Sequence, residues 1–295
     1  MIIPASESRF TWKVYSDRTA KGTHAIPANP TAPYLKSYVR YFWTLESTET
    51  DPFPRTLGPL ADGCPGLIFQ PSAEGIFYDQ GQKQLPELFV YGQTIKPTEM
   101  YLTGKFKTVG VCLLPNDLTS LFGFNADALS DTCLDVELLS AGRGFHLTEQ
   151  LLNAAAARDR MDALSTYLLA QIEGQNRPID RITQYALAQM IRSNGRVSLK
   201  ALQDDLQLSE RSFERRFNQY VGISPKLFAR VCRFQAALHQ LKNNEYAKLS
   251  DVAFDNGYAD QAHFIRTFKE FTGRSPYQFQ KQSYQVVENF SVLRK

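Results

Sequence analysis

Two segments near the carboxyl end of the chain repeat one pattern of aromatic, arginine, glycine and proline residues. Residues 213–228 (FERRFNQYVGISPKLF) align with residues 264–279 (FIRTFKEFTGRSPYQF) at an offset of 51. Within this repeat or just before it lie side chains that could contact base edges: Arg211, Ser212, Glu214, Arg215 and Arg216 in the first unit, and Gln261, Ala262, His263 and Arg266 in the second. An arginine side chain can donate two hydrogen bonds to O6 and N7 of guanine, and glutamine can form a pair of hydrogen bonds with adenine. Helices that carry these residues therefore suit the DNA major groove.

The phenylalanines of each unit stand four residues apart, Phe213 with Phe217 and Phe264 with Phe268. Aromatic rings can stack on the bases of single-stranded nucleic acid. Spacing of four on an amphipathic helix instead places both rings on one apolar face. We therefore predict that all four rings are core.

The elements that must position these residues are short helices joined by tight turns, over residues 198–219 and 249–271. In the first unit Leu199, Leu202 and Leu206 form an apolar stripe, and Ser209 stands where an N-cap is needed. In the second, Val252 and Ala253 are predicted to pack, Gly257 to take a left-handed turn, and Asp260 to cap the next helix. Each unit thus predicts a helix-turn-helix.

Residues 224–242 (SPKLFARVCRFQAALHQLK) have the length and periodicity of one helix of about 28 Å. Such a helix could hold the two recognition helices about 34 Å apart, one turn of DNA, on one face of the duplex. This spacing is a hypothesis.

Several of the outward-facing residues have more than one possible role. Arg211, Arg215, Arg216 and Arg266 could be solvated surface charges instead of base or phosphate contacts. Glu214 could accept from a cytosine amino group or orient a neighbouring arginine, and we favour the second. For His263, packing or a phosphate contact is favoured over metal binding, because no other metal-type ligand stands close by in sequence.

The tandem units, each closed by G-x-S-P-x-x-F, resemble the DNA-binding module of the AraC/XylS family of bacterial transcription regulators. The resemblance covers about residues 179–281 and is closest over 251–279 (DVAFDNGYADQAHFIRTFKEFTGRSPYQF). It implies recognition helices over 210–219 and 260–271. Gln203 stands where the family usually has alanine, and Gln207 where a glycine is common in the turn. The resemblance therefore defines the turn geometry of the first unit less closely than that of the second. We expect the first unit to supply more base-specific contact and the second more positioning.

The amino-terminal half is a different kind of domain. Extended runs at 66–70, 75–79, 87–93, 99–104 and 107–115 predict antiparallel strands, and apolar periodicity predicts two helices over 147–174. Those helices could form a dimer seam or cover the sheet. Segments 34–46, 53–69 and 107–115 resemble control domains of the same family, which implies a cupin-like sheet domain that binds a small effector, dimerises, or both.

The expected fold class is therefore a two-domain α+β protein. Its first part (1–174) is an antiparallel β-sandwich or barrel with helices, 175–178 is a linker, and 179–285 is an all-α tandem helix-turn-helix domain. Residues 180–281 hold 16 Lys and Arg against 10 Asp and Glu, and the rest of the chain holds 17 against 20. A basic carboxyl-terminal segment is typical of a nucleic-acid reader with a separate control domain.

Several expectations are absences. With no secretory signal and no apolar stretch of about 18 residues, we expect a cytoplasmic protein that does not bind membranes. The four cysteines are far apart and His24 and His146 form no metal pattern, so neither a metal nor a cofactor is expected. No sequence motif identifies the residues that would contact an effector. One aromatic cluster could either line a pocket or form core: Tyr34, Tyr38, Tyr41, Phe42 and Trp43.

The favoured function is a regulator, more specifically an activator, that binds double-stranded promoter DNA and contacts RNA polymerase. An alkyl-transfer repair enzyme could carry a similar helical module, but no zinc-type cysteine cluster or histidine partner supports that reading. An effector-binding module with vestigial DNA binding is the third alternative. Binding to promoter fragments separates the three, because only the first predicts tight, sequence-dependent and salt-sensitive binding.

Overall fold

The computed structural model describes residues 23–28, 33–47, 55–57, 61–72, 76–79, 81–97, 100–103, 105–140, 146–175 and 179–282. The strands are β1 (Thr23–Ala28), β2 (Val39–Ser47), β3 (Arg55–Leu57), β4 (Gly66–Phe69), β5 (Ile76–Tyr78), β6 (Leu88–Tyr91), β7 (Met100–Thr103), β8 (Phe106–Leu113) and β9 (Cys133–Asp135). The first helices are α1 (Asp117–Phe122), α2 (Val136–Ser140), α3 (Leu147–Asn153) and α4 (Ala157–Gln175). The remaining helices are α5 (Arg181–Arg192), α6 (Leu199–Asp205), α7 (Glu210–Val221), α8 (Pro225–Lys242), α9 (Leu249–Asp255), α10 (Gln261–Thr272) and α11 (Pro276–Gln282).

The strands form two antiparallel sheets, one of six in the order β1-β2-β8-β4-β6-β9 and one of three in the order β3-β7-β5. Side chains from both sheets meet in one buried cluster, in which Trp43 and Ile68 of the larger sheet join Phe77 of the smaller. The expected antiparallel sandwich or barrel is thus confirmed. The five predicted strands are β4 to β8, whereas β1, β2, β3 and β9 were not predicted.

Helices cover the other face of the six-stranded sheet. Leu67 and Val111 point into this layer, where they join Leu151 of α3 and Leu168 of α4 in a second buried cluster. Alternating residues of one strand therefore enter different cores, which is the period of two expected of a sheet buried on both faces. The two predicted helices are confirmed as α3 and α4, and they cover the sheet. No helix in the described ranges is long and apolar enough to cross a bilayer.

The aromatic cluster predicted from sequence is divided by this alternation. Tyr41 and Trp43 enter the layer between the sheets, Phe42 enters the layer under the helices, and Tyr34 is 81% exposed. These residues are therefore mostly core on two separate faces, and they do not line one common pocket.

The helices from α5 onward share a third core, centred on α8. Phe217 meets Phe228 with ring centroids 5.7 Å apart, and Phe234 meets Phe268 at 5.5 Å. One α8 face thus carries the first unit and another carries the second. Ala61 of the sheet domain also belongs to this core, so the two parts of the chain pack directly on each other.

Candidate nucleic-acid interface

Recognition helix α7 of the first unit begins at a capped, exposed end. The Ser209 hydroxyl accepts from the backbone N–H of Ser212 at 3.3 Å, as predicted for the N-cap. Phe213 and Phe217 are buried with their rings 5.8 Å apart, which confirms them as core. Arg211 and Arg215 consequently lie on the opposite, exposed face. Two arginine forks are thus available at the end of the helix that can reach base edges.

Two further predicted residues of α7, Ser212 and Glu214, differ in their surroundings. Ser212 is half-buried, and its hydroxyl oxygen accepts from the Ser209 hydroxyl at 3.0 Å. Glu214 is exposed, and no ion pair to it occurs among the described residues. Its predicted role in orienting an arginine stays a prediction.

Arg216 lies on the flank of α7 and is engaged within the protein. Its Nε lies 3.0 Å from both carboxylate oxygens of Asp180, and its Nη2 also contacts Oδ1. Asp180 is the N-cap of α5 and accepts from the backbone N–H and hydroxyl of Thr183. Burial alone would raise the pKa of Asp180, but the hydrogen bonds from Arg216 and Thr183 hold it below its ordinary value. The pair fastens α7 to α5.

The turn of the first unit has the geometry that a glycine would normally supply. Gln207 has φ +54°, and its counterpart in the second unit, Gly257, has φ +72°. Gln207 therefore adopts the left-handed backbone conformation that a glycine usually takes at this position. Gln203 is buried on α6, at 7% exposure, where the family usually has alanine. Both units keep the same turn.

The second unit repeats this construction. The Asp260 carboxylate accepts from the backbone N–H of His263 at 2.6 Å and caps α10, and Phe264 and Phe268 are buried 5.7 Å apart. Gln261, Ala262 and Arg266 are exposed on the surface of α10. His263 is half-buried, with its ring edge-on to Tyr258 at 5.4 Å. That contact agrees with packing, one of its two favoured roles.

Helix α8 separates the two units as predicted. It has 18 residues, hence a length of about 27 Å, and the Ser224 hydroxyl caps it by accepting from the backbone N–H of Leu227. The predicted spacing of one DNA turn between the recognition helices stays a hypothesis.

The far end of α7 is covered by the sheet domain. The Thr119 hydroxyl of α1 donates to the Gln219 carbonyl at 2.9 Å, and the Ser130 hydroxyl donates to the Gly222 carbonyl. A Cβ on Gly222 would lie 2.8 Å from the Ala126 carbonyl oxygen. The carboxyl-terminal end of the first recognition helix is thus an inter-domain contact, while its amino-terminal end remains exposed.

Sequence reasoning missed these connections. Thr119, Ser130 and Asp180 lie 100, 92 and 36 residues from their partners, which are in α7 or in its C-cap. Only Asp180 had a local signal, since an aspartate immediately before an amphipathic helix is a candidate N-cap. Its pairing with Arg216 is a tertiary contact that no periodicity reports.

Comparison with known proteins finds two family models, which match different parts of the chain. The family model described as a helix-turn-helix domain matches residues 202–282, and a domain of unknown function (DUF6597) matches residues 29–135. An uncharacterized HTH-type transcriptional regulator of Haemophilus influenzae is 29% identical over 148 residues, covering 46% of this chain and 49% of that protein. The HTH-type transcriptional activator RhaS of Escherichia fergusonii is 32% identical over 80 residues, covering 27% and 28%.

The chain therefore spans about half or less of the length of these relatives. Among solved structures, ToxT from Vibrio cholerae O395 has a TM-score of 0.42 and 11% identity, with 83% of this chain and 97% of that chain covered. The tandem units on one central helix, their sequence signature and the matched regulators agree with one another. Residues 202–282 of this chain therefore form a helix-turn-helix domain of the AraC type, similar to that of HTH-type transcriptional regulators.

Proposed function

We propose that this protein is a sequence-specific activator that reads the major groove of promoter DNA with α7 and α10 under the control of its sheet domain. The observation that carries the proposal is the exposed face at the amino-terminal end of each recognition helix. Arg211 and Arg215 lie on α7, and Gln261 and Arg266 lie on α10. Each helix is held from behind by a buried phenylalanine pair, so this face is free to enter a groove.

The roles of the individual residues follow from their surroundings. Arg211, Arg215, Gln261 and Arg266 are proposed base or phosphate contacts, with Ala262 placed for apolar contact with a thymine methyl group. Ser212 and His263 hold the helix starts, and Glu214 orients an arginine. Arg216 is proposed as a positioning residue, because its guanidinium is committed to Asp180.

Unequal contributions of the two units follow from the same surfaces. Arg211 and Arg215 give α7 two exposed guanidinium groups, whereas α10 has Gln261 and Arg266. We propose that the first unit supplies more of the base-specific contact and the second more of the positioning. A single-base substitution scan of a bound site would show two blocks of sensitive positions, with the larger losses in the block protected by α7.

Control by the sheet domain would act through the contacts on α7. Thr119 and Ser130 bond the last turn of this helix, so any shift of α1 or of segment 126–130 moves the first reader directly. A small effector, RNA polymerase and a second copy of the chain are the partners proposed for this control, inside the cytoplasm. The activator RhaS among the relatives supports activation as the direction.

The test is binding to DNA selected from a random pool, followed by a mobility shift with the selected fragment. Tight binding that falls steeply with salt and is lost with a scrambled fragment is the expected result. Equal affinity for both fragments would refute sequence-specific reading, and no binding to either would favour the effector module with vestigial DNA binding. A reporter driven by the selected site then distinguishes activation from repression.

A further inference from the structure

Two cysteines and a carboxylate come together where the segment before β4 meets the end of β8. Asp62 and Cys64 lie in this segment, Cys112 lies in β8, and their ligand atoms are all within 4.8 Å of one another. The pairing of β4 with β8 places Gly66 opposite Cys112 and so brings the segment alongside the strand. Both cysteines are 1% exposed, whereas Asp62 is half-buried. The cluster has a buried sulfur side and a carboxylate side that solvent can reach.

Hydrogen bonds hold this cluster in place. The Asp62 Oδ1 accepts from the backbone N–H of Cys64 at 2.9 Å, and the buried Gln93 amide donates to the Gly63 carbonyl at 2.9 Å. The Arg40 Nη1 lies 2.6 Å from the Cys64 sulfur. The donor atoms are therefore partly preorganised.

The donor set selects a class of cation. Two thiolates and one carboxylate carry three negative charges, and the Arg40 guanidinium carries one positive charge, so a divalent cation makes the group neutral. Neutrality matters because unbalanced charge is costly to bury. Mixed sulfur and oxygen ligands suit zinc, whereas calcium and magnesium prefer oxygen alone. Tetrahedral zinc holds two sulfurs about 3.8 Å apart, so small side-chain adjustments would close the site.

The segment that carries Asp62 and Cys64 also contacts α8. The Gln235 amide of α8 donates to the Ala61 carbonyl at 2.6 Å, and Gln235 is 1% exposed. A Cβ on Gly63 would lie 2.9 Å from the Phe228 ring, so this ring packs directly on the segment. Helix α8, which joins the two DNA-reading units, thus contacts Ala61 and Gly63, the residues on either side of Asp62.

We propose that Asp62, Cys64 and Cys112 bind a thiophilic divalent cation of the zinc class, and that binding alters DNA affinity through α8. The two thiol protons pass to solvent as the sulfurs coordinate the cation, and the fourth position is left to water or an exogenous ligand. The coupling to DNA rests on the proposed function, whereas cation binding does not. This proposal replaces the expectation of no metal, which rested on histidines and on cysteine spacing along the chain.

Cobalt titration of the full chain tests the site, using a phosphine reductant and no oxygen. We expect one Co²⁺ per chain, a sulfur-to-cobalt charge-transfer band in the near ultraviolet, and loss of that band when Zn²⁺ is added. Cys64→Ser and Cys112→Ser should each weaken Co²⁺ binding at least about ten-fold. Cys133→Ser, which changes a half-buried cysteine outside the cluster, should leave the band unchanged.

Asp62→Asn keeps this test independent of folding, because its side chain is half-buried and a cysteine variant could unfold. It should weaken Co²⁺ binding while the thermal unfolding midpoint of the metal-free chain stays unchanged. Absence of the band in the reduced wild-type chain, or an unchanged band in Cys64→Ser, overturns the site. A Cys64–Cys112 disulfide formed by oxygen, without Co²⁺ affinity in the reduced chain, overturns it as well.

Fluorescence anisotropy with a selected DNA fragment tests the coupling. Zn²⁺ should change the DNA affinity of the wild-type chain at least about three-fold, but not that of Asp62→Asn. Gln235→Ala should keep the cobalt band and lose this response. An intact band with unchanged DNA affinity overturns the coupling and supports the site. An intact band with no DNA binding in either state refutes the proposed function instead, so the two failures are distinguishable.

Discussion

The Arg216 guanidinium on α7 forms a bidentate ion pair with Asp180, the residue that caps α5. The Asp180 side chain is 2% exposed, whereas that of Arg216 is 40% exposed. The pair therefore has a buried acceptor and a donor that reaches it from the surface. One contact both completes the α5 cap and sets the rotation of the first recognition helix.

Replacing Arg216 should destabilise the helical domain. Arg216→Ala leaves the buried Asp180 carboxylate without its main partner, so the free energy of unfolding should fall by about 1–3 kcal/mol. Arg215→Ala is the matched control, since this neighbour is exposed and should change stability by less than about 0.5 kcal/mol. Urea unfolding of both variants measures this. Lost DNA affinity at unchanged stability in Arg216→Ala would instead identify a DNA contact.

The same pair predicts a loss of stability in acid. Folding lowers the pKa of Asp180, so its contribution is fully present above the unfolded carboxyl pKa of about 3.9 and is lost as pH falls through the lower folded value. Asp180→Asn should therefore remove part of the acid dependence of the unfolding free energy. Asp204→Asn, at an exposed ion pair on α6, should leave it nearly intact. Equal slopes in Asp180→Asn and wild type would contradict the assignment.

Arg266 should discriminate one base pair. Arg266→Ala is expected to weaken specific binding by about 1–3 kcal/mol and to relax the preference at one position of the site. Binding constants for a set of single-base variants of the selected fragment provide the measurement. A uniform loss on all sequences, with a shallower salt dependence, would make Arg266 a phosphate contact.

Phe268 should hold the second unit together. Phe268→Ala removes a fully buried ring between α8 and α10, at an expected cost of about 3–5 kcal/mol. Phe254→Ala, on α9 of the same unit, is the control because that ring is 63% exposed. Chemical denaturation and amide exchange report the difference. A folded Phe268→Ala chain of unchanged stability would show that the core assignment is wrong.

The turn at Gln207 should gain from glycine. A non-glycine residue at φ +54° is strained, so Gln207→Gly should raise the free energy of unfolding by up to about 1 kcal/mol, and Gly257→Ala should lower it by about as much. Thermal unfolding of the two variants checks both signs. Destabilisation by Gln207→Gly would mean that the glutamine side chain contributes more than its backbone strain costs.

Much of the fold was predictable because its signals are local. The strands β4 to β8 follow from runs of apolar residues between turn residues, and α3 and α4 from helical periodicity. The strands β1, β2, β3 and β9 were missed. β3 and β9 have three residues each, too few for a period, and β1, β3 and β9 each pair with a longer neighbour. Strand β2 is buried over residues 41–45, so it lacks the alternation of apolar and polar residues that marks a strand. The core phenylalanines were predictable because their spacing of four places both rings of each pair on one face of an amphipathic helix.

The caps, buried rings and outward arginines of the two reading units follow from neighbours within about four residues along the chain, so local sequence is enough to predict them. Which of those arginines forms an ion pair depends instead on a contact between distant elements. Arg215 and Arg216 are adjacent in sequence, yet Arg216 pairs with Asp180 whereas Arg215 is exposed. The same holds for Cys64 and Cys112, which strand pairing brings together across 48 residues. Contacts between distant residues depend on how packed elements meet, and local periodicity carries no record of that.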